Sequence, residues 1–351
     1  MDENQADLAG SRDRSTHQAA LVALNKLFYE GYMLSRAIYV AAHLGVADIL
    51  NDQPMDTKDI AAAVGANPDA LYRLLRALAS VGVFTEVKQR HFALTPLAAG
   101  LRTDVPGSLN AYILMYGSDF SSRPADNLLY SVRTGLPAFE QVFGMPEFAY
   151  LNQHPEVSSM FDAGMASISS LDISDVLAVY DFSGITTIAD IGGGNGAFLT
   201  AILRANPKMK GVLFDRPLVI TSARPRFEAA GLAGRCDLIG GDIFDTLPGG
   251  ADAYVLKSVI HDFDDPQSVA ILRNCRRAMP AKGKLLVIEP ALLPGDQPTL
   301  SKFVDLMMLL MPGGRERTEE EFRTLFEAGG FKLTRVIPTE SRVSMVEGVP
   351  A

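Results

Sequence analysis

The sequence predicts an α/β protein in two parts: an α-helical, winged-helix segment, then a doubly wound parallel sheet that ends in an antiparallel hairpin. Three observations carry this. From Ser183 onward, apolar runs of strand length alternate with helical stretches, the texture of a parallel sheet covered on both faces. Near the C-terminus two more strands, Lys332–Pro338 and Val343–Glu347, are joined only by Thr339 to Arg342, too short a link for a parallel crossover. Between Thr57 and Thr95, two helices and a hairpin follow one another in winged-helix order.

Composition narrows the function classes. The 351 residues suggest two domains, and 48% hydrophobic against 21% charged residues excludes a disordered chain. Lys plus Arg number 32 and Asp plus Glu 41, a net charge of −9, which disfavours nucleic acid and anionic lipid as partners. The two cysteines, Cys236 and Cys275, have no ligand spacing, so neither a disulfide framework nor a metal is expected. The first residues are polar and mixed in charge, unlike a signal peptide, and no run approaches the roughly 18 apolar residues of a membrane span. A soluble, cytoplasmic enzyme is expected.

Residues 1–18 read as a disordered arm. Residues 19–105 read as a winged-helix dimerisation domain. It begins with Leu24, Leu27, Phe28, Met33, Leu34, Ile38, Val40, Leu44 and Ile49 at helical spacing, broken near Gly31 and Gly45 and more apolar than a small domain needs to cover itself. Thr57 can cap a helix Lys58–Val64, Gly65 to Pro68 turns the chain, and Asn67 caps a second helix, Asp69 to Ser80. Val81–Val87 and His91–Thr95 form the wing. The second helix offers only Arg73 and Arg76 against Asp69, so dimerisation rather than DNA reading is expected. The remainder, 106–351, opens with an irregular helical stretch, 106–180, whose aromatic and methionine residues serve as core or pocket lining. Strands follow at Thr186–Ile191, Gly211–Asp215, Asp237–Ile239, Ala253–Leu256 and Leu285–Glu289, with helices at Ala197–Ala205, Leu218–Ala230, Pro266–Met279 and Thr318–Ala328.

Chemistry gathers at the carboxyl ends of these strands, where doubly wound sheets bind ligands. Asp190-Ile191-Gly192-Gly193-Gly194-Asn195-Gly196 is a glycine loop that lets the backbone approach a ligand; with Ala197 it also satisfies a dinucleotide pattern, so a nicotinamide enzyme stays open at this point. Asp215, 23 residues after Gly192, can accept both hydroxyls of an adenosine ribose. Asp242 suits an adenine amino group, with Phe244 packing on or near the ring. His261 stands just beyond the fourth strand and Glu289 at the end of the fifth. A phenol of pKa about 10 is protonated at neutral pH; a histidine there can take its proton while a carboxylate orients the imidazole. The other histidines, His17, His43, His91 and His154, read as structural.

At the fourth strand the sequence resembles a known family, the class I S-adenosylmethionine-dependent O-methyltransferases of small hydroxylated aromatics. These include the plant caffeate-type and hydroxyindole enzymes and bacterial enzymes tailoring polyketides, phenazines and mitomycins. The matching pieces are DIGGGNG at 190–196, FDRP at 214–217, GDIFDTLP at 241–248, LKSVIHDFDD at 256–265, the Glu289 of VIEP, and PGGRERTEEEF at 312–322. The resemblance implies a Rossmann-like seven-stranded domain, a homodimer, S-adenosylmethionine as cofactor, S-adenosylhomocysteine as product, and methyl transfer to an aromatic hydroxyl. It implies that Gly192, Gly194, Asp215, Asp242, Ile243, Phe244 and Lys257 serve the cofactor, with Lys257 reaching toward the adenine side. His261 matches the general base, Glu289 and Glu316 the acids flanking it, and Phe161, Met165, Met307 and Met311 the acceptor pocket. Phe263 stands where many members carry Trp, and Met311 where plant enzymes often carry Asn. Three rivals stand beside this reading: a nicotinamide oxidoreductase, a transcription regulator, and a family relative doing hydroxylation, decarboxylation or N-methylation.

Overall fold

The computed structural model describes residues 3–51 and 53–351, with side chains from His17 onward. Two compact units divide the chain between Gly117 and Ser118.

The first unit starts with one long helix, α1 (Glu3–His43). The expected arm over 1–18 is corrected here, since Glu3 to Gln18 form its first turns. That stretch has no proline and a single glycine, Gly10, so backbone propensity sustains a helix that shows no apolar stripe. Gly31 does not break the helix either, whereas Gly45 at φ +67° does end it. Then come α2 (Val46–Leu50), β1 (Met55–Asp56), α3 (Thr57–Val64), α4 (Pro68–Ser80), β2 (Phe84–Lys88), β3 (His91–Leu94), α5 (Pro96–Ala99) and α6 (Asn110–Gly117). The wing is an antiparallel sheet of order β1-β3-β2. Asn67 caps α4 as expected, its Oδ1 accepting from the N–H groups of Asp69 and Ala70 at 3.1 and 3.0 Å. The cap of α3 is Asp56 rather than Thr57, whose hydroxyl donates to the Arg90 carbonyl at 2.8 Å. Ile60, Leu71, Leu75, Leu78, Phe84 and Phe92 form the core. Helix α6 belongs to this unit because Gly117 lies against the Tyr39 ring and its carbonyl accepts from Arg36 at 3.2 Å. The α1 side chains Leu24, Leu27, Phe28 and Tyr32 are 63–74% exposed.

The second unit opens with α7 (Asp119–Asp126), α8 (Leu128–Thr134), α9 (Ala138–Phe143), α10 (Glu147–Gln153) and the long α11 (Pro155–Val179). The alternating part follows: β4 (Thr187–Ile191), α12 (Ala197–Ala205), β5 (Lys210–Asp215), α13 (Pro217–Ala229), β6 (Cys236–Gly240), β7 (Ala253–Lys257), α14 (Asp265–Ala278), β8 (Lys284–Glu289), β9 (Ala291–Leu292), α15 (Ser301–Leu310), β10 (Arg317–Thr318), α16 (Glu319–Gly329), β11 (Phe331–Pro338) and β12 (Ser344–Pro350). Seven strands form one sheet of order β11-β12-β8-β7-β4-β5-β6. Only β12 runs against the rest, pairing antiparallel with both β8 and β11 from Phe331↔Pro350 to Pro338↔Ser344. The terminal hairpin expected from its short link is therefore present. Phe198, Leu199, Ile202 and Phe227 cover one face of the sheet, and Ile271, Leu272, Phe322 and Phe326 the other. The order in which strands are added switches sides at β4, which pairs parallel with β5 on one side and β7 on the other, so the strand ends there border a crevice. No described helix is long and apolar enough to cross a membrane.

Candidate active site

Beyond β4 the chain turns at Gly192, φ +71°, whose N–H donates to the Phe214 carbonyl at 2.7 Å. A Cβ there would stand 2.8 Å from Val259, and the left-handed backbone independently requires glycine. Gly194 also sits in the left-handed region, at φ +58°. Its N–H donates to Asp215 Oδ2 at 2.8 Å, and that of Arg216 to Oδ1 at 2.7 Å, so the Asp215 carboxylate is aimed by backbone at the end of β5. Burial lifts its pKa, and those two N–H groups pull it back. Glycine loop and acid thus meet as expected.

Asp242, Ile243 and Phe244 follow β6. Asp242 is exposed and accepts from the Phe244 N–H at 2.9 Å. The Phe244 ring meets Phe263 edge to face at 5.3 Å. Ile243 packs partly buried against the core, its carbonyl accepting from Asn274 at 2.9 Å.

Lys257 is not brought to this group. It ends β7, separated from β6 by the two strands β4 and β5, and its Nζ donates to Ser169 at 2.7 Å and Asp172 at 3.4 Å on α11. A buried ammonium needs a carboxylate partner, and Asp172 supplies one that the sequence pattern did not reveal. Asp190 was also missed. Standing two residues before Gly192, it carries a buried carboxyl with both oxygens unpartnered, which burial pushes up to about 7.

The catalytic candidates converge. After β7, Ser258 takes φ +54°, a strained value for a residue with a side chain, and Ile260–Asp262 form a single 3₁₀ turn. Glu289, wholly buried at the end of β8, accepts on one oxygen from the N–H groups of Val259, Ile260 and His261 at 3.0, 2.6 and 3.2 Å. It holds the turn's backbone. Glu316 touches the ring itself, its Oε1 2.9 Å from His261 Nδ1. The His261 side chain is 8% exposed. Burial alone would lower its pKa, but the adjoining Glu316 carboxylate, with Asp262 and Glu289 behind it, raises it to about 9.

Arg317, 1% exposed, ties this loop together. Its guanidinium donates to the carbonyls of Ile260 at 3.1 Å and Phe263 at 3.0 Å, and to Asp265 at 2.8 Å. The carbonyl of His261 accepts from the Arg315 N–H at 2.9 Å. Nothing in the apolar pattern distinguishes this arginine from a surface one; the PGGRERT run was its only signal.

Of the four pocket candidates, Phe161, Met307 and Met311 join one apolar cluster with Phe120, Phe139 and Tyr150. Met165, one turn along α11 from Phe161, is half-buried and lies outside that cluster.

A seven-stranded sheet with a single reversed strand, a glycine loop paired with an acid on the next strand, and a buried histidine–carboxylate pair at the same edge define a class I methyltransferase fold. Residues 126–332 match the O-methyltransferase domain, and residues 27–104 the O-methyltransferase dimerisation domain. The chain belongs to this O-methyltransferase family. It is similar to the phenazine O-methyltransferase PhzM of Lysobacter antibioticus, 44% identical over 95% of this chain and 98% of that one. The crystal structure of LaPhzM, also 44% identical, superposes with a TM-score of 0.89 over 94% of this chain and 99% of that chain. An O-methyltransferase of neocarzinostatin biosynthesis, solved with S-adenosylmethionine and 2-hydroxy-5-methyl naphthoic acid, is 36% identical with a TM-score of 0.78, covering 91% of this chain and 96% of that one.

Proposed function

We propose that the chain transfers the methyl group of S-adenosylmethionine to a hydroxyl of an aromatic small molecule, acting as a cytoplasmic homodimer with His261 as general base. The observation that carries the base assignment is the 2.9 Å contact of His261 Nδ1 with buried Glu316, which fixes the ring and leaves Nε2 for the acceptor hydroxyl. The site suits the cofactor: the Gly192 cradle would be filled by a Cβ, Asp215 is aimed by two backbone N–H groups, and Asp190 has unpartnered oxygens facing the same loop. Asp215 keeps lone pairs for the ribose hydroxyls, and Asp242 and Phe244 border the adenine end. When bound, S-adenosylmethionine supplies an electrophilic methyl on a sulfonium.

His261 receives the acceptor's proton as its oxygen becomes nucleophilic, and Glu316 stabilises the resulting imidazolium. Glu289 and Arg317 keep the turn from shifting, so the distance to the acceptor is set before it binds. Phe161, Met307 and Met311 offer an apolar, adaptable wall to a flat ring, with Met165 one turn further along α11. This reading needs no metal, and chelation should leave the rate unchanged. Family membership favours the sulfonium cofactor over a nicotinamide dinucleotide. Calorimetric titration tests the choice: binding of S-adenosylmethionine and S-adenosylhomocysteine is expected, and tight NADH binding without either would overturn it.

A further inference from the structure

Glu147 is the first residue of α10, is 5% exposed, and its carboxyl makes no hydrogen bond or ion pair with any described residue. An unpartnered buried carboxyl is costly, and nothing in the catalytic scheme uses it. Its surroundings place it beside the reacting end of the site. Phe148, next in sequence, stacks over Phe263 at 6.3 Å and 27°, which holds the start of α10 against the loop carrying His261. Phe148 and Tyr150 join Phe161 and Met307 in the apolar cluster. Burial, and the charge of nearby Asp262, push Glu147 up to about 8, so it is largely a neutral acid at neutral pH. Asp262, likewise raised by burial, to about 7, stands 3.6 Å from His261 Nε2, the nitrogen that Glu316 leaves free. Among the described residues no cation pairs with the Glu147 carboxyl, and the acid whose charge acts on it, Asp262, flanks His261 on the Nε2 side.

We propose that Glu147, with Asp262, selects acceptors that carry a hydrogen-bond donor, a second hydroxyl or an amino group, away from the methylated oxygen, and rejects those that carry a carboxylate there. This rests on the methyl-transfer reading above. A ring donor satisfies the Glu147 carbonyl oxygen or the Asp262 carboxylate and removes their desolvation cost. Glu316 is already paired with His261, so a ring carboxylate there brings its charge against that of Asp262, in an apolar enclosure where like charges are weakly screened. Glu147 is thus a specificity determinant, with no part in proton transfer.

The test uses the full chain loaded with S-adenosylhomocysteine for binding and with S-adenosylmethionine for turnover. The probes are 2-naphthol, 2,7-dihydroxynaphthalene, 7-amino-2-naphthol and 7-hydroxy-2-naphthoate, which differ only in the remote group. The diol and the aminonaphthol should bind the native protein best and the carboxylate worst. Glu147→Leu should weaken the first two about tenfold, leave 2-naphthol unchanged and improve the carboxylate. Glu147→Gln keeps a donor and an acceptor without a charge, and should retain the native order. A general structural role would instead depress all four alike. The native ranking needs no variant, so the proposal stays testable if Glu147→Leu folds poorly. An unchanged order in Glu147→Leu, native preference for the carboxylate, or failure of both donor-bearing probes to bind overturns the proposal. Failure to bind S-adenosylhomocysteine at all overturns the methyl-transfer reading instead.

Discussion

At the scale of single residues, the proposed base His261 rests protonated at neutral pH. With its pKa lifted to about 9, only a small fraction is neutral at pH 7 in the free protein. The rate at limiting acceptor should therefore rise with pH until the imidazole is deprotonated, near pH 9, with a slope of about tenfold per unit below it. Glu316→Gln removes the main charge raising that pKa, so the rising limb should move to lower pH while the maximum rate falls. An unshifted profile would detach Glu316 from the base. The same shift is a statement about stability. His261 goes from the usual 6.5 to about 9 on folding, so its pair with Glu316 contributes most below pH 6.5, on the order of 3 kcal/mol, and the contribution is lost as pH rises through 9. Thermal melts of Glu316→Gln and native protein should accordingly differ most near pH 6 and converge above pH 9. On the proposed role, His261→Ala should lower kcat by 10²- to 10⁴-fold, about 3–5 kcal/mol, with S-adenosylhomocysteine binding retained. Raising the pH should recover part of that loss on a phenolic acceptor, which then arrives ionised. Near-normal kcat at neutral pH would return His261 to a purely structural role.

At the scale of elements, the site depends on backbone groups arranged by strand ends. Asp215→Ala removes a carboxylate that two N–H groups have already oriented, and should weaken S-adenosylhomocysteine binding at least tenfold by calorimetry, with little change in melting temperature. Arg317→Met should do the reverse. It leaves the carbonyls of Ile260 and Phe263 without their donor inside the core, costing several kcal/mol, and should lower stability and kcat together while cofactor affinity holds. Retained kcat in that variant would show that the His261 turn needs no such clamp. Much of this level is legible in sequence. Period and link length reveal the seven strands and the antiparallel ending, and the carboxyl-edge rule brings Asp215, His261 and Glu289 to one crevice. The partners of Lys257 are not legible, because Ser169 and Asp172 lie about 85 residues upstream on a helix whose apolar pattern says nothing of its polar face. Nor does the pattern disclose that Glu289 holds backbone rather than ring. Polar pairing depends on which atoms lose water, and that follows only from the packed fold.

At the scale of the whole molecule, α1 carries the argument for assembly. Leu24, Leu27, Phe28, Tyr29 and Tyr32 are each more than 60% exposed along one helix, and a contiguous apolar surface of this kind is an interface more often than a solvent face. Residues 27–104, which include Leu27, Phe28, Tyr29 and Tyr32, match the dimerisation domain of the O-methyltransferases. Burying that face against a second copy would give an obligate interface above about 2,000 Å², in which neither protomer is stable alone. The protein should then scatter light as twice 37.8 kDa at micromolar concentration, and its melting temperature should rise with protein concentration. Leu27→Lys with Phe28→Lys places two charges on that exposed face. That variant should shift to monomer or aggregate, and should melt lower than the native protein. The residues proposed to act in catalysis all lie beyond Ser118, so any loss of activity should track loss of the dimer across a dilution series rather than the substitution itself. A native chain that scatters as a stable 37.8 kDa monomer at micromolar concentration would leave the exposed face of α1 without a role in self-association.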